Sequence, residues 1–327
     1  MKKKIFFRLD ADSKKGLGHL VRSISIANII SDVFDITFII KEPDYKVYEL
    51  LKYNIINIPK EINEKEELEI LSKYKNNIFV IDLYNYSDEY QIGIKKISTK
   101  FIIIDDQNMN HFYSDIVINH IIDIDKNTVK RESYTKLFLG ADYSMLRKEF
   151  LEIAKQKRTI NKLDTILINM GGSDYENNTL IILKEVIKSN IFKNINIIIG
   201  PLYKFKDDLK NLGKNINIYS NLNAKEMCDI MIESNIIICP ISTIIYEASC
   251  VGMFIITGYI SETQKNILKH FNKLSYIYGD IKNIKSNDIL NIILKEQNNI
   301  HNYIKKQKSL FNNNQETNIL SIFKDLL

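Results

Sequence analysis

The stretch FFRLDADSKKGLGHLVRSISIANII, residues 6–30, decides the fold of the first half of the chain. Together with the preceding Ile5, its apolar start up to Leu9 predicts a buried β-strand, and its apolar-periodic second half predicts a helix. Between them, Gly16 and Gly18 allow a tight turn that brings the backbone close to a ligand. His19 follows at the start of the helix, where free backbone N–H groups and the helix dipole favour anions. The stretch therefore predicts a strand, a ligand-binding loop and a helix carrying a proton-transfer histidine.

The alternation of short apolar runs and amphipathic segments continues along all 327 residues. Runs such as ITFII, NIFVIDL and KFIIIDD predict strands buried on both faces, and the pattern restarts near residue 160 with DTILINMGGS. Strand–helix alternation predicts an α/β protein with two Rossmann-like parallel-sheet domains that face a cleft. We expect residues 1–157 to form a sugar-binding and catalytic domain and residues 158–300 a nucleotide-binding domain. Residues 301–327 are predicted to pack as a helix across both domains.

Composition excludes several classes of protein. The chain is 45% apolar and 26% charged, as is typical of globular proteins, and its net charge of +5 is small for this length. We find no basic stripe with interleaved aromatics, which argues against nucleic-acid binding, and no apolar run long enough to span a bilayer. Cys228, Cys239 and Cys250 lie in apolar segments and are expected to be buried thiols. A cytoplasmic monomer without membrane contact is therefore predicted.

Polar residues around the first loop predict a catalytic centre. Arg8 and Asp10 end the strand just before His19, and an aspartate near a histidine fixes its tautomer and raises its basicity. Arg22 follows one helical turn later and is predicted to bind substrate. Tyr84, after the strand NIFVIDL, offers a ring or a hydroxyl to a sugar. The alternatives are a capping or core role for His19 and ordinary loop packing for Tyr84.

Asp105 and Asp106 end another predicted strand at the same edge of the sheet. Paired acids bind metals or act as acid and base, but a capping acid beside a solvated one fits the sequence equally well. No third ligand follows at a metal-like spacing, so we expect no metal. The dinucleotide pattern G-x-G-x-x-G is also absent, and we expect no cofactor.

The segment INMGGSD, residues 168–174, opens a second predicted site. A strand ends, Gly171 and Gly172 turn the chain, and Ser173 or Asp174 is expected to cap the next helix. Adjacent backbone N–H groups in such a turn can hold a diphosphate, although an ordinary strand–helix connection has the same sequence pattern.

The segment CPISTIIYEASCVG, residues 239–252, complements the glycine turn. Ser242 and Thr243 follow a buried strand at a helix start, so their hydroxyls are available to phosphate oxygens. Glu247 falls on the same helix face as Thr243, and a carboxylate accepts two hydrogen bonds from a ribose diol. The four-residue spacing fits a capping box poorly. An acid in an apolar helix needs a partner, for which a ligand is a candidate.

Together these blocks resemble the nucleotide-sugar hydrolases of pseudaminic acid biosynthesis, a family related in fold to the GT-B glycosyltransferases. The family removes UDP from UDP-2,4-diacetamido-2,4,6-trideoxy-β-L-altropyranose. FRLDADSKKGLGHLVR is similar to the family's opening motif, and VIDLY, IIDDQ, KLFLGADYSMLRKEF, INMGGSD and ISTIIYEA follow in the family's order. The resemblance implies a GT-B-like fold and inverting, metal-independent hydrolysis by C–O cleavage.

The resemblance also implies a role for individual residues. His19 matches the base that deprotonates the attacking water, and Tyr84 matches a tyrosine of the sugar pocket. Glu247 matches the ribose-binding acid, and Leu222 matches the position whose backbone binds uracil. The positions that match the diphosphate-binding residues are Gly171, Gly172, Ser242 and Thr243.

Two departures from the family pattern fall in the sugar pocket. Leu83 stands where the family often has histidine before the tyrosine. After the strand MFIITG, Thr263 stands where the family has the asparagine of an Asn-Gln pair, whereas Gln264 keeps its place. The exact sugar, and the choice between water and an acceptor, therefore stay open.

Three functions fit the sequence. The first is hydrolysis of a UDP-linked 2,4-diacetamido-2,4,6-trideoxyhexose, and the second is a GT-B glycosyltransferase with a sugar acceptor. Membrane-acceptor transferases of this fold carry an apolar patch flanked by basic residues on the first domain. The sequence shows no clear patch of this kind, which favours hydrolysis. The third function is a silent nucleotide-sugar binding protein, against which the set His19, Asp10 and Tyr84 argues.

Overall fold

The computed structural model describes residues 2–12, 16–107, 111–210, 212–311 and 314–327. Strands and helices alternate along these residues. The strands are β1 (Lys3–Leu9), β2 (Phe34–Lys41), β3 (Asn54–Ile58), β4 (Asn77–Asp82), β5 (Ser98–Ile104), β6 (Ile116–Asn119), β7 (Lys136–Leu139), β8 (Thr165–Ile168), β9 (Asn194–Ile199), β10 (Ile216–Ser220), β11 (Ile236–Pro240), β12 (Phe254–Tyr259) and β13 (Tyr276–Asp280). The helices are α1 (Gly18–Ile30), α2 (Tyr45–Leu50), α3 (Glu64–Leu71), α4 (Asp88–Ile97), α5 (Lys148–Ala154), α6 (Asn178–Ser189), α7 (Ala224–Glu233), α8 (Thr243–Val251), α9 (Glu262–Ile267), α10 (Ser286–Glu296), α11 (Ile300–Leu310) and α12 (Gln315–Lys324).

The chain divides into two compact units. Unit 1 comprises Met1–Lys15, His19–Met145 and Asn314–Leu327, and unit 2 comprises Gly16–Gly18 and Leu146–Asn313. The division falls earlier than the predicted boundary after residue 157, because α5 packs against α7 and α8 of unit 2. The C-terminal segment, predicted as one helix, forms α11 in unit 2 and α12 in unit 1.

Unit 1 contains a seven-stranded parallel sheet in the order β3-β2-β1-β4-β5-β6-β7. Its central strands are apolar and buried on both faces, as their sequences predict; Ile5, Phe7 and Leu9 of β1 are fully buried. The strand order reverses between β1 and β4, where Leu9 pairs with Asp82. Ligands of open parallel sheets bind beyond the carboxyl ends of the strands at such a switch point.

Unit 2 contains a six-stranded parallel sheet in the order β10-β9-β8-β11-β12-β13. Its order reverses between β8 and β11, so the turns after these two strands lie beside each other. The GGS turn follows β8, and Ser242 follows β11. The predicted fold class, two parallel-sheet α/β units, is confirmed.

Apolar packing holds each unit. In unit 2 the strands β8, β9, β11 and β12 pack against α6, α10 and α11 around a core rich in isoleucine. In unit 1, α12 is anchored to the sheet by Phe323, whose ring lies 6.4 Å from that of Phe34. The three cysteines are buried free thiols, and burial raises the pKa of Cys228 to about 11. No helix among the described residues has the length and apolarity that crossing a membrane requires.

Candidate functional site

The imidazole of His19 is held by an aspartate at the switch point of unit 1. His19 is the second residue of the buried helix α1, and Asp82 is the last residue of β4. His19 Nδ1 lies 2.7 Å from Oδ1 of Asp82 and 2.9 Å from the backbone oxygen of the same residue. Both of these neighbours are acceptors, so Nδ1 carries the proton and donates it.

The same contacts leave the other ring nitrogen as the basic one. In a neutral imidazole with its proton on Nδ1, Nε2 holds the lone pair. Nε2 of His19 is buried and has no hydrogen-bond partner among the described residues. A buried polar atom without a partner is costly, and a catalytic or ligand-binding role is one explanation of it. This geometry suits a general base whose tautomer is fixed by the hydrogen bonding of its other ring nitrogen, Nδ1.

Arg22 fixes Asp82 from its other side. Arg22 Nε donates to Oδ2 of Asp82 at 2.8 Å, Nη2 donates to Oδ1, and Nη1 donates to Oδ2 of Asp106 at 2.6 Å. Ser23 Oγ adds a hydrogen bond of 3.1 Å to Oδ2 of Asp82. Arg22, predicted to bind substrate, is therefore engaged by two carboxylates of its own unit.

The charges of this cluster keep its acids ionised. Burial would raise the pKa of Asp82, but Arg22 and His19 outweigh burial and hold it well below its ordinary value. The same balance, with Arg22 and His120 opposing burial, lowers the pKa of Asp106. Asp82 thus stays a carboxylate that can stabilise a positively charged His19 ring.

Tyr84 contacts the predicted base directly. Its ring meets that of His19 edge-on, with centroids 4.3 Å apart and an interplanar angle of 86°. Tyr84 keeps 43% of its surface exposed. Desolvation and the carboxylate of Asp106 raise the pKa of Tyr84, so it remains a neutral phenol that can donate a hydrogen bond. The structure brings together His19 and Tyr84, as the sequence predicts.

The aspartate on His19 is Asp82, whereas the sequence pointed to Asp10. Asp10 Oδ1 accepts a hydrogen bond of 2.6 Å from Nη1 of Arg8. Arg8 is buried and donates from Nε to Glu67 at 2.6 Å. Strand β1 directs Arg8 into this ionic cluster, so Arg8 links Asp10 to α3. The tautomer-fixing role that we assigned to Asp10 is corrected accordingly.

The pair Asp105 and Asp106 does not act as a unit. Asp106 receives Arg22, whereas Oδ2 of Asp105 accepts from the side chain of Asn119 at 3.0 Å and from the backbone N–H of Gln107 at 3.2 Å. Both acids are thereby committed to protein donors. Across the described ranges, no group of three or more His, Cys, Asp or Glu side chains is arranged to hold a metal ion.

The GGS turn of unit 2 has a strained backbone that only glycine adopts readily. Gly171 has φ +93°, and its N–H donates to Oδ1 of Asn169 at 2.9 Å. Gly16, in the first loop, has φ +81°. Of the two predicted caps for α6, Asp174 is the one observed: its carboxylate accepts from the N–H groups of Asn178 and Thr179 at 2.8 and 2.7 Å. An anionic cap already occupies the start of α6.

The start of α8 is open by contrast. Ser242 precedes the helix and makes no side-chain capping hydrogen bond. Neither its hydroxyl nor that of Thr243 is hydrogen-bonded within the described part of the chain, and both residues are only partly buried. Free N–H groups, two free hydroxyls and the helix dipole favour an anion here. The start of α8 therefore offers free donors to an anion, whereas a carboxylate occupies the start of α6.

Glu247 has a protein partner where a ligand was expected. It is buried in α8, and both of its oxygens accept from Arg147: Oε1 from Nε at 2.7 Å and Oε2 from Nη2 at 2.8 Å. Contrary to the prediction, Glu247 does not require a ligand, because Arg147 satisfies its charge. Its position one turn after Thr243 is as predicted.

The remaining predicted residues belong to unit 2. Leu222 is partly buried in the connection before α7, one residue before the capping residue Asn223. Thr263 and Gln264 lie in the first turn of α9, and Oε1 of Gln264 accepts the N–H of Ile260 at 2.8 Å. Ser173 is partly buried beside Gly172.

Sequence reasoning missed two residues, Asp82 and Arg147. Asp82 lies in the VIDLY block and ends a continuous apolar strand, a position where an acid is either functional or ion-paired. Arg147 stands in the YSMLRKEF block, just before α5. Its partner Glu247 is far away in sequence, so no local spacing joins the two.

No protein-family model matches the sequence. The UDP-2,4-diacetamido-2,4,6-trideoxy-beta-L-altropyranose hydrolase of Campylobacter jejuni is 30% identical over 260 residues, which cover 75% of this chain and 87% of that protein. An uncharacterised protein of Methanocaldococcus jannaschii is 29% identical over 285 residues, 83% of this chain, and the chain spans 58% of its length. The spore coat polysaccharide biosynthesis protein SpsG of Bacillus subtilis is 25% identical over 255 residues, 75% of this chain and 74% of that protein.

Solved structures agree on the fold. The spinosyn rhamnosyltransferase SpnG complexed with thymidine diphosphate has a TM-score of 0.69 at 9% identity, with 99% of each chain covered. MurG of Acinetobacter baumannii has a TM-score of 0.62 at 11% identity, again over 99% of each chain. The two parallel-sheet units and these neighbours define a protein of the GT-B glycosyltransferase fold. Within that class, the chain belongs to the family of the UDP-2,4-diacetamido-2,4,6-trideoxy-β-L-altropyranose hydrolase.

Proposed function

We propose that the chain is an enzyme that hydrolyses a UDP-linked 2,4-diacetamido-2,4,6-trideoxyhexose to the free sugar and UDP. The reaction would serve the biosynthesis of nonulosonic acids of the pseudaminic type. The observation that carries the proposal is the Asp82–His19 pair, which leaves Nε2 of a buried imidazole basic and without a partner among the residues that the structure describes. The name of the Campylobacter relative supplies the substrate class.

His19 acts as the general base in this proposal. Nε2 removes a proton from water as the water oxygen attacks C1 of the sugar. The bond between C1 and the diphosphate oxygen breaks, its electron pair leaves with UDP, and the configuration at C1 inverts. Asp82 balances the charge of the imidazolium that forms. General base catalysis of this kind typically contributes about 10²–10⁴-fold.

Unit 2 binds the UDP in this proposal. The free hydroxyls of Ser242 and Thr243 and the N-terminus of α8 receive the diphosphate, and the N–H groups of Gly172 and Ser173 assist, whereas that of Gly171 is used by Asn169. Charge that develops on the leaving diphosphate is stabilised by these fixed donors, which makes UDP a good leaving group. Glu247 accepts ribose hydroxyls, Leu222 offers its backbone to uracil, and Gln264 contacts the sugar.

A second candidate function, glycosyl transfer to a membrane-bound acceptor, is favoured by one observation. Although the sequence shows no clear apolar patch, α2 of unit 1 exposes Tyr45, Tyr48 and Leu50 by 69%, 47% and 42%. Lys46 lies between these side chains and Lys52 follows them, so the small patch has basic neighbours. In that case the nucleotide site would be unchanged and an acceptor hydroxyl would replace water.

One experiment distinguishes these functions. The protein is incubated with UDP-linked diacetamido-trideoxyhexoses, and UDP and sugar are followed by NMR with and without candidate acceptors. Hydrolysis predicts free sugar and UDP in equal amounts without an acceptor, with the anomer of opposite configuration formed first. Release of UDP only when an acceptor is present would show that the protein is a glycosyltransferase and not a hydrolase. Binding without turnover would identify a silent nucleotide-sugar binding protein.

A further inference from the structure

Glu247 of α8 forms a two-point ion pair with Arg147, and this arginine has no role in the chemistry proposed so far. Arg147, the residue before α5, donates from two nitrogens to the two carboxylate oxygens of Glu247. The side chains are 23% and 6% exposed, respectively, so the pair is largely shielded from water. An arginine that meets a carboxylate in this forked way fixes the plane of the carboxylate as well as balancing its charge.

The guanidinium of Arg147 is itself held in place. Its central carbon lies 4.9 Å from the ring centroid of Phe150, and Nη2 lies 3.0 Å from Sδ of Met227. Helix α5 packs against both α7 and α8, so these contacts come from packed helices of one unit. Arg147 is therefore a fixed support for Glu247 rather than a mobile surface side chain.

Charge explains why Glu247 needs such a support. Glu247 lies one helical turn after Thr243, at the end of α8 where the proposed function locates a diphosphate. A buried carboxylate beside a diphosphate would repel it, because charges interact strongly away from water. Arg147 balances the carboxylate, and the acid and the diphosphate can then occupy neighbouring helical turns.

The pairing leaves acceptor capacity for a ligand. A carboxylate has about four lone-pair positions, and Arg147 uses one on each oxygen of Glu247. Each oxygen can therefore accept one further hydrogen bond, in the plane that the guanidinium fixes. The two adjacent hydroxyls of a ribose present two such donors, whereas a 2′-deoxyribose presents one.

We propose that Arg147 is a positioning residue that presents Glu247 to the 2′ and 3′ hydroxyls of the nucleotide. The pair thereby selects ribonucleoside diphosphates over their 2′-deoxy counterparts. This inference rests on the UDP site of the proposed function, but it does not depend on which reaction follows binding.

The test compares the affinities of UDP and 2′-deoxy-UDP by calorimetric titration, so that no turnover is required. The unmodified protein should bind UDP about 10- to 100-fold more tightly, because the deoxy ligand loses a hydrogen bond to a charged acceptor. In Arg147→Met the two affinities should come within about threefold of each other. Arg147→Lys, which keeps the charge but supplies one donor point, should give an intermediate ratio.

Arg158→Met is the matched control. Arg158 is another half-buried arginine of unit 2, and its guanidinium donates to the backbone oxygens of Met231, at 3.2 Å, and Ser234. Its loss should lower the melting temperature and leave the ratio of the two affinities unchanged. Circular dichroism establishes that each variant is folded before titration.

The possible outcomes separate the two proposals. An unchanged ratio in folded Arg147→Met, or in Arg147→Lys if the methionine variant does not fold, would overturn the positioning role alone. Equal affinities of the unmodified protein for both nucleotides would also overturn it, since Glu247 would then not distinguish the 2′ hydroxyl. Failure of the unmodified protein to bind either nucleotide would overturn the UDP site and the proposed function with it.

Discussion

At the scale of single residues, the chemistry of the site depends on which proton each group holds. Asp82 and the backbone oxygen beside it are both acceptors, and they direct the proton of His19 to Nδ1. Arg22 keeps Asp82 ionised by binding both of its oxygens. The basicity of Nε2 is thus determined by residues that need not touch the substrate.

Replacing Asp82 by asparagine tests this dependence. The amide has no negative charge to balance the imidazolium, and its NH₂ group can face His19 and force the proton onto Nε2. We expect kcat to fall by about 10²- to 10⁴-fold. The affinity for UDP should stay within about threefold, because unit 2 supplies the proposed UDP site. Steady-state kinetics and calorimetric titration measure the two quantities.

Asp115→Asn serves as the control for this substitution. Asp115 is a mostly buried acid of unit 1 that accepts the N–H of Phe101 at 2.8 Å and pairs with Lys95. Its replacement should lower stability without changing kcat. A kcat of Asp82→Asn as high as that of the control would show that Asp82 only supports the fold.

Sequence reasoning reached His19 and Tyr84 but assigned the tautomer-fixing role to Asp10. The error has a physical cause. Asp10 is close to His19 along the chain, whereas Asp82 reaches it through the pairing of β4 with β1. Likewise, Arg147 and Glu247 are brought together only by the packing of α5 on α8. Contacts that depend on strand order and helix packing have no local pattern that predicts them.

At the scale of elements, the two helix starts of unit 2 differ in charge. The anionic cap of Asp174 occupies the start of α6, whereas α8 begins with the uncapped hydroxyls of Ser242 and Thr243. An anion therefore finds free donors at α8 and a carboxylate at α6. The sequence predicts both turns as diphosphate sites, and only the side-chain contacts distinguish them.

The double substitution Ser242→Ala and Thr243→Val removes the free hydroxyls of α8. Because neither hydroxyl has a partner in the described part of the chain, the free energy of unfolding should change by less than about 0.5 kcal/mol. The affinity for UDP should fall by about 10- to 100-fold, as expected for the loss of hydrogen bonds to a charged ligand. Chemical denaturation and titration with UDP measure the two effects.

The matched control is the cap of another helix. Asn63 caps α3 with a hydrogen bond from its side chain to the N–H of Glu66. Asn63→Ala should cost about 1 kcal/mol of stability and leave UDP affinity unchanged. If the α8 variant lost stability and kept its UDP affinity, these hydroxyls would support the fold and would not bind UDP.

At the scale of the whole molecule, buried ionisable groups make the stability of the fold depend on pH. Burial and the nearby Arg22 lower the pKa of His120 to about 4. In the unfolded chain this imidazole takes up a proton near its ordinary pKa of about 6.5. The unfolded state therefore binds more protons between these values, and the stability contributed by neutral His120 is lost as pH falls through this window.

We expect the free energy of unfolding to decrease by about 2–3 kcal/mol between pH 7 and pH 4. Asp82 and Asp106, whose pKa values are lowered, add a further loss below about pH 4 as they take up protons. Replacing His120 by glutamine should flatten the dependence between pH 4 and pH 6.5. The same change at the exposed His301 should leave it as it is, and denaturation curves across this range measure the slope. Equal slopes in His120→Gln and the unmodified protein would contradict the assignment.

The architecture itself is predictable from the chain. Continuous apolar runs of residues such as Ile236 to Cys239 predict strands buried on both faces, and the repeated strand–helix order predicts parallel sheets. The family resemblance rests on blocks that follow these strands, and the Campylobacter relative confirms it. The boundary of the units is less predictable, because α5 joins unit 2 through packing that the polar segment after it does not reveal.

The central claim is that the imidazole of His19 acts in turnover rather than in folding or nucleotide binding. The most direct measurement compares His19→Asn with the unmodified protein in two assays, release of free sugar followed by NMR and UDP affinity followed by titration. The account predicts that turnover falls by about 10²- to 10⁴-fold while UDP affinity stays within about threefold. Equal losses of turnover and UDP affinity, or unchanged turnover, would contradict it.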